Sequence, residues 1–138
     1  MNEIVRGMDV FNELTLLQAF NKRESQFNFA SILLVIEYLH NKNIIHRDIK
    51  PENMFIDEEG FLKILDIGTC KKITDRTYTL VGTPAYTAPE VFLSTGYDYA
   101  ADYWSLGICL FEFLCGYLPF GSGQTDPLLI LKDIIAHP

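Results

Sequence analysis

Apolar residues recur at helical spacing in the first forty positions of the chain. Between residues 9 and 20 they share one side of a helix, which predicts a short amphipathic helix. The apolar positions on that side are Val10, Phe11, Leu14 and Leu17. Residues 25–41 carry apolar side chains on most faces, which is typical of a helix in a core, and Ser25 is its predicted N-cap.

Two short apolar segments follow, at residues 54–56 and 62–65. The sequence Asp-Glu-Glu-Gly separates them, and an acidic turn that ends in Gly predicts a β-hairpin. Residues 66–98 are rich in Gly, Thr, Pro and Tyr and show little periodicity. A stretch of this length without regular structure is usually functional or disordered.

Helical patterning returns in the last third of the chain. Residues 100–115 predict a largely apolar helix that ends at Gly116. Asp126 predicts the N-cap of a final helix, with Pro127 in its first turn. The apolar face of that helix is predicted to consist of Leu128, Leu131, Ile134 and Ile135. The whole pattern predicts a mainly α fold with a small β-hairpin.

Composition and charge indicate a globular protein and limit the kinds of binding partner it can have. The 138 residues are 49% hydrophobic and 21% charged, which fits one globular domain or a large piece of one. A formal net charge of −7 argues against nucleic acid as the main partner, because phosphates attract Lys and Arg. The acidic balance is compatible with a basic protein substrate, although ordinary solubility explains it more simply.

The cysteines and the longest apolar run indicate in which compartment the protein lies and whether it spans a membrane. Cys70, Cys109 and Cys115 are odd in number and lack Cys-x-x-Cys spacing, so they predict neither a disulfide framework nor a zinc site. We therefore predict a cytoplasmic, intracellular protein. The apolar run at residues 106–118 contains Glu112 and is shorter than the roughly 20 residues that a bilayer requires, so no membrane span is predicted.

Three motifs occur in a fixed order along the chain. His-Arg-Asp-Ile-Lys-Pro-Glu-Asn occupies residues 46–53, between the second predicted helix and the hairpin. Asp-Ile-Gly follows the second strand at residues 66–68, and Gly-Thr-Pro-Ala-Tyr-Thr-Ala-Pro-Glu occupies residues 82–90. Each motif alone is a weak signal. Their order and spacing together indicate common descent with one family.

These motifs resemble the signature of eukaryotic protein kinases. Lys50, two residues after Asp48, is the serine/threonine variant. Small-molecule phosphotransferases share His-x-Asp followed by Asn, but they lack the segment at residues 82–90. The runs at residues 79–84 and 101–107 resemble AGC-type kinases, and residues 37–45 and 70–72 resemble cGMP-dependent protein kinases of protists.

The resemblance implies a kinase C-terminal lobe that uses ATP and Mg²⁺. Asp48 would orient the substrate hydroxyl, and Lys50 would neutralise the transferred phosphoryl group. Asn53 and Asp66 would supply oxygen ligands to magnesium. The backbone of Glu3 and Val5 would face the adenine ring of ATP, and Phe55 would form part of its floor.

The resemblance also implies roles in the activation segment, which runs from the Asp-Ile-Gly motif to the motif at residues 82–90, and in the residues that contact it. Thr79 would be a phosphorylation site whose phosphate pairs with Arg47 and Lys71. Thr83 would hydrogen-bond near Asp48 and Lys50, and Glu90 would pair with an Arg beyond residue 138. Asp102 would hold the backbone of the catalytic loop. The residues implied to form an acidic surface for a basic protein substrate are Asp9, Glu52 and Glu112.

Glu112 also has a structural interpretation, because it falls within an apolar helix. Buried acids are seldom left unpaired, so we expect a cation beside it in either role. Ile67 replaces the usual Phe of the Asp-Phe-Gly motif. Ile is also apolar and can still pack, so we expect a tolerated change rather than a loss of metal binding.

The kinase motifs of the upper lobe are missing from the sequence. Neither a Gly-x-Gly-x-x-Gly loop nor a Val-Ala-x-Lys strand occurs. We therefore interpret residues 1–138 as a partial kinase domain, from the hinge to the start of the helix after the activation segment and central helix, and expect the chain alone to be inactive. A non-catalytic binding or regulatory module derived from a kinase is the alternative. Control by a cyclic nucleotide would depend on domains outside these residues.

Overall fold

The fold was established from a computed structural model, which describes residues 7–137. The first half contains two helices and most of the short strands, and helices dominate the second half. The strands are β1 (Gly7–Asp9), β2 (Ile44–Ile45), β3 (Met54–Asp57), β4 (Leu62–Ile64) and β5 (Lys71–Lys72). The helices are α1 (Val10–Leu17), α2 (Lys22–His40), α3 (Pro89–Phe92), α4 (Ala100–Cys115) and α5 (Pro127–Ala136). The predicted mainly helical fold is confirmed.

Helix α1 is shorter than predicted because its two ends are defined locally. The side chain of Asp9 accepts a hydrogen bond from the amide of Asn12 at 3.0 Å and so caps the first turn. Gln18 adopts a left-handed backbone conformation with φ 66°, which ends the helix. Val10 and Leu14 form the buried side of α1.

Helix α2 begins three residues before the predicted N-cap, so the prediction for Ser25 is wrong. Asn21 caps the helix by accepting hydrogen bonds from the amides of Arg23 and Glu24. The Glu24 side chain in turn accepts a hydrogen bond from the amide of Asn21, which completes a capping box. Ser25 lies buried in the first turn, and its hydroxyl has no hydrogen-bond partner among residues 7–137.

The predicted hairpin forms and is extended by a strand that the pattern did not reveal. Strands β3 and β4 pair antiparallel, and β1 pairs antiparallel with the other edge of β3. Phe55 therefore lies between Asp9 and Lys63 in the register. A separate two-stranded pair, β2 with β5, joins the chain before the His-Arg-Asp motif to the chain after Asp66.

Helices α2 and α4 pack together in the centre of the main core. Ile32 and Ile36 of α2 are buried with Leu106 and Phe113 of α4. Helix α4 ends at Gly116, as predicted, in a left-handed conformation with φ 77°. A Cβ atom at that position would overlap the carbonyl oxygen of Gln18, so only glycine fits between the ends of α1 and α4.

Helix α5 begins as predicted but buries a different face. Asp126 accepts a hydrogen bond from the amide of Leu128 at 2.9 Å and caps the helix. Ile130 and Ile134 are buried, whereas Leu128 and Ile135 are more than half exposed, so the predicted apolar face is only partly right. Within residues 7–137, no helix combines the length and apolar character needed to cross a bilayer.

Candidate active site

Asp48 lies at the centre of a cluster formed by two loops. It follows β2 and is only 9% exposed. One carboxylate oxygen, Oδ1, accepts hydrogen bonds from the amide of Thr83 at 3.0 Å and from its hydroxyl at 2.8 Å. The other oxygen, Oδ2, accepts one from Nδ2 of Asn53 at 3.1 Å and lies 3.1 Å from Nζ of Lys50. The His-Arg-Asp loop and the activation segment therefore meet at this carboxylate.

The surroundings of Asp48 favour its charged form. Burial raises the pKa of this carboxyl, but the hydrogen bonds from Thr83, Lys50 and Asn53 outweigh burial and leave the pKa below its ordinary value. Asp48 is therefore ionised at neutral pH. An ionised carboxylate in this position can accept a hydrogen bond from an incoming hydroxyl and orient it.

Thr83 and Lys50 are linked directly. The Lys50 ammonium donates to Oγ1 of Thr83 at 2.6 Å, while the same hydroxyl donates to Asp48. Gly82 allows this approach, because its φ is 113° and a Cβ atom there would lie 2.6 Å from the carbonyl oxygen of Arg47. The backbone at Gly82 can therefore pack closely against the His-Arg-Asp loop at Arg47.

Asn53 and Asp66 present oxygen atoms that suit a hard cation. Nδ2 of Asn53 donates to the carbonyl and the carboxylate of Asp48, which leaves Oδ1 of the amide available. Asp66 is exposed, and its Oδ1 accepts a hydrogen bond from the amide of Gly68. The amide of Leu65 donates to the carbonyl of Asn53 at 2.9 Å, so the chain leading to Asp66 runs beside Asn53.

These oxygen donors fit Mg²⁺, which commonly takes one or two protein carboxylates and completes its shell with waters and phosphate oxygens. No cluster of three or more His, Cys, Asp or Glu side chains suited to a metal occurs within residues 7–137. Asn53 and Asp66 alone would leave most of the coordination shell of such an ion to waters and phosphate oxygens.

Asp102 connects the His-Arg-Asp loop to helix α4. Its buried carboxylate accepts hydrogen bonds from the amides of His46 at 2.9 Å and Arg47 at 2.8 Å. It also lies 2.8 Å from Nε2 of His40. Arg47 has φ 74°, an unfavourable region for a non-glycine residue, and the bond to its amide helps to hold that conformation.

The activation segment holds the candidate phosphorylation site at the surface. Thr79 is exposed, and its carbonyl accepts a hydrogen bond from the Tyr97 hydroxyl at 2.6 Å. Lys71 donates to the hydroxyl of Thr77 at 2.8 Å, two residues before Thr79. Nε of Arg47 donates to the carbonyl of Thr69, while its buried Nη1 has no hydrogen-bond partner among the described residues.

Glu112 is paired with a hydroxyl group, so the expected neighbouring cation is a wrong prediction. This carboxylate is 8% exposed and accepts a hydrogen bond from the Tyr86 hydroxyl at 2.6 Å. Burial raises the pKa of Glu112, the Tyr86 hydrogen bond partly opposes that shift, and the charge of Glu52 adds to it. The two acids are therefore close enough for like-charge repulsion. Asp9, the third predicted acid, uses its carboxylate to cap α1.

The remaining predicted positions lie around this cluster. Phe55 is half-buried in β3, and Glu90 is half-buried in the first turn of α3. Ile67 is 69% exposed, so its side chain does not pack against the other residues in the range 7–137. The physical reason is the tight turn in which Asp66 accepts the amide of Gly68, which leaves the intervening side chain at the surface. Glu3 and Val5 lie outside the described residues.

Comparison with known families agrees with this geometry. A family model of the protein kinase domain matches residues 1–136. The chain belongs to the protein kinase family. Protein kinases use ATP and a divalent metal, and they act on proteins.

The most similar kinases include cyclic-nucleotide-dependent ones. The cGMP-dependent protein kinase of Plasmodium berghei is 47% identical over 135 residues, which cover 98% of this chain and 16% of the relative. That of Eimeria tenella is 48% identical over 136 residues, covering 99% and 14%. The cAMP-dependent protein kinase catalytic subunit of Dictyostelium discoideum is 47% identical over 138 residues, covering 99% and 21%. The predicted resemblance to protist cGMP-dependent kinases is confirmed.

The kinase chain thus spans about one sixth or less of the cGMP-dependent relatives it matches. The similarity nevertheless extends across nearly all of its own residues, including the three motifs.

Several contacts in this kinase site were missed by sequence reasoning. His40 pairs with Asp102, Tyr86 pairs with Glu112, and the hydroxyl of Thr69 donates to the carbonyl of His46. Tyr86 lies inside the motif at residues 82–90, close to Thr83, so its place in that motif could have indicated a position near the site. His40 ends helix α2, 62 residues from its partner, so its pairing depends on tertiary structure.

Proposed function

We propose that residues 1–138 form the lower-lobe part of a serine/threonine protein kinase domain, which transfers the γ-phosphate of ATP to Ser or Thr in proteins. The observation that carries the proposal is the carboxylate of Asp48, held in its charged form by Thr83, Asn53 and Lys50. Phosphoryl transfer depends mainly on positioning and charge neutralisation, and this cluster supplies both.

Each member of the cluster takes a distinct role in the proposal. Asp48 accepts a hydrogen bond from the substrate hydroxyl and orients it. Lys50 lies at the rim, about 20% exposed and within reach of both Asp48 and Thr83, where its charge can stabilise a phosphoryl oxygen. Asn53 and Asp66 would hold Mg²⁺, which neutralises phosphate charge when bound.

We propose that the protein substrate carries basic residues near its phosphorylated side chain. Glu52 is exposed, and its charge acts on Glu112. A Lys or Arg side chain placed between these two acids would relieve their repulsion. Asp9 extends the proposed acidic surface, although it also caps α1.

Phosphorylation of Thr79 is the proposed means of ordering the activation segment. The hydroxyl lies on an exposed residue and is accessible to a kinase. Arg47 has a buried Nη1 without a hydrogen-bond partner in residues 7–137, and a phosphate oxygen would provide one. Lys71 would exchange its hydrogen bond with Thr77 for the phosphate.

The proposal also includes residues that would contact adenine, a partner for Glu90 and a cellular location. Glu3 and Val5 would contact adenine through their backbone, with Phe55 as part of the floor, and Glu90 would form an ion pair with an Arg outside these residues. We place the protein in the cytoplasm, because Cys70, Cys109 and Cys115 are all unpaired thiols.

The test is phosphate transfer by the full-length protein. Radiolabelled ATP and a Ser peptide with two preceding Arg residues are incubated with wild type, Asp48→Asn and the surface control Asp75→Asn. We expect Asp48→Asn to reduce kcat by about 10²-fold or more, which is the scale of losing a positioned general base, with little change in KM. Full activity of Asp48→Asn would overturn the assignment.

A further inference from the structure

Residues 77–97 form a long segment whose two ends are joined by backbone hydrogen bonds. Thr77 and Tyr97 make an isolated antiparallel bridge, in which the amide of each donates to the carbonyl of the other at 2.9 Å. The segment contains Thr79 and the motif at residues 82–90, and its sequence shows little periodicity. The bridge therefore closes the base of a part of the chain that regular secondary structure does not hold.

The side chain of Tyr97 adds a further connection within this segment. Its hydroxyl donates to the carbonyl of Thr79 at 2.6 Å, and the residue is only 3% exposed. The ring packs with Ile73 and Val91 in the smaller of the two core clusters, so the hydroxyl is presented from a fixed position. Because a buried hydroxyl is costly to leave unpaired, this bond holds the backbone at Thr79 in place.

Neighbouring residues reinforce this contact. Thr77 is fully buried, and its hydroxyl accepts a hydrogen bond from Lys71 of β5 at 2.8 Å. Gly96 has φ 84°, and a Cβ atom there would lie 2.7 Å from the ring of Tyr78. Glycine therefore allows that ring to lie against the backbone before Tyr97. The three residues that end at the anchored carbonyl are thus held by contacts that require no phosphate.

The anchored carbonyl lies close to the Asp48 cluster along the chain. Only three residues separate Thr79 from Thr83, whose amide and hydroxyl both donate to Asp48. Each residue of an extended chain spans at most about 3.6 Å, so a backbone held at Thr79 limits where Thr83 can lie. Tyr97 can therefore influence the position of Thr83 without touching the reacting groups.

We propose that Tyr97 is a positioning residue whose hydroxyl anchors the activation segment at Thr79, independently of a phosphate on that residue. The inference rests on the proposed kinase function, because it gives the anchor a role in placing Thr83. Tyr97 binds the main chain of Thr79, whereas a phosphate would bind Arg47 and Lys71 through the side chain. The two anchors hold the same residue and are therefore partly redundant.

Limited digestion of the full-length protein with trypsin tests the anchor. Arg76 is exposed, but the peptide bond after it leads into the Thr77–Tyr97 bridge, so cleavage there requires the segment to open. Tyr97→Phe removes the hydroxyl and keeps the buried ring. We expect it to accelerate cleavage after Arg76 about fivefold, the scale of losing one hydrogen bond, while the urea midpoint changes little.

A matched control isolates the hydroxyl of Tyr97. Tyr38 is 64% exposed, and its hydroxyl forms no hydrogen bond within residues 7–137, so Tyr38→Phe should be cleaved at the wild-type rate. Unchanged cleavage in Tyr97→Phe, or an equal acceleration in Tyr38→Phe, would overturn the proposal. A fall in the urea midpoint large enough to explain the faster cleavage would also overturn it, because the effect would then be global.

Phosphate transfer by the full-length protein tests the positioning role. Tyr97→Phe is introduced into Thr79→Ala and, separately, into protein whose Thr79 is phosphorylated, as verified by mass spectrometry. We expect it to lower kcat about fivefold in Thr79→Ala and less than about twofold in the phosphorylated protein, because the phosphate supplies the second anchor. An equal factor in both backgrounds would overturn the proposal, since a merely structural loss would not depend on Thr79.

The two measurements separate the anchor from the proposed kinase function. If Tyr97→Phe accelerates cleavage while the wild type transfers no phosphate, the anchor is supported and the kinase proposal fails. If the wild type transfers phosphate and Asp48→Asn abolishes that activity, the kinase proposal stands. Should Tyr97→Phe then change neither cleavage nor kcat, the anchor proposal alone would fail.

Discussion

At the residue scale, Thr83 connects the two loops of the candidate active site. Its hydroxyl donates to Asp48 and accepts from Lys50, and its amide also donates to Asp48. Hydroxyl groups suit this position because they donate and accept at once. The side chain therefore couples the conformation of the activation segment to the charge state of the Asp48 carboxylate.

Replacing Thr83 with Val removes the hydroxyl and keeps the shape of the side chain. We expect a loss of about 1–3 kcal/mol in the free energy of unfolding, because a partly buried carboxylate loses a donor. The pKa of Asp48 should rise, since the Thr83 hydrogen bonds lower it. Urea unfolding and NMR titration of the Asp48 carboxyl carbon measure the two effects. Thr83→Ser should retain both properties, and an unchanged pKa in Thr83→Val would contradict this account.

Glu112→Gln should change how stability depends on pH. The pKa of Glu112 is raised in the folded protein, so its favourable contribution is complete below the ordinary pKa and is lost as pH rises through the folded value. A Gln carbonyl can still accept the Tyr86 hydroxyl without a buried charge. We expect the variant to be more stable than wild type at neutral pH and to lose that advantage in acid.

Thermal unfolding of wild type and Glu112→Gln between about pH 4 and pH 8 measures the difference, since this range spans the ordinary carboxyl pKa and neutrality. Glu59→Gln, in the exposed β3–β4 turn, is the matched control and should show no such trend. A constant difference between wild type and Glu112→Gln across this range would show that Glu112 does not titrate differently on folding.

At the scale of elements, periodicity predicted the long helices and the hairpin. Helix α4 and the turn at Gly116 follow from local residue preferences, so sequence was sufficient for them. The strands β1, β2 and β5 were missed because two or three residues cannot show alternation. Their pairing comes from tertiary contacts, which a local pattern does not contain.

The capping box of helix α2 gives a paired prediction. Asn21→Ala should reduce the free energy of unfolding by about 0.5–2 kcal/mol, because it leaves two helix amides without their acceptor. Ser25→Ala should cost less, since the Ser25 hydroxyl has no partner among the described residues. Chemical denaturation of both variants compares them. A larger loss with Ser25→Ala would restore Ser25 as the functional cap.

The site residues that belong to a sequence motif could be predicted. The contacts that arise from tertiary packing could not. Asp48, Asn53 and Thr83 are named by their motifs, and the structure brings them together. The hydroxyl partner of Glu112 could not be inferred from charge alone, because a phenol satisfies a buried carboxylate without a cation. The exposure of Ile67 could not be inferred from its hydrophobicity, because the turn closed by Asp66 and Gly68 places its side chain at the surface.

At the scale of the whole molecule, one core connects α1, α2 and α4. Phe113 is fully buried, and its ring lies 5.4 Å from that of Phe20, which follows α1. The amide of Phe20 also donates to the carbonyl of Phe113 at 2.8 Å. Phe20 and Phe113 are thus joined both by a backbone hydrogen bond and by a ring contact. The core is therefore continuous across elements that lie far apart in sequence.

Phe113→Ala should destabilise the entire chain by about 3–5 kcal/mol, because it creates a large cavity in a closely packed core. Leu114→Ala is the control, since Leu114 is adjacent in sequence and exposed. Equilibrium unfolding monitored at several wavelengths measures the loss. If Phe113→Ala unfolded α1 alone and left α2 and α4 intact, the core would not be continuous.

Gly116 shows how a position remote from chemistry can resemble a catalytic one in genetic data. No side chain other than hydrogen fits against the carbonyl of Gln18, so nearly every substitution there should abolish the protein. A saturation screen scored only by activity would therefore rank Gly116 with Asp48, the proposed catalytic residue. Scoring abundance in parallel would separate them: if Asp48 has the proposed catalytic role, an Asp48 variant should accumulate as inert protein, whereas a Gly116 variant should be degraded.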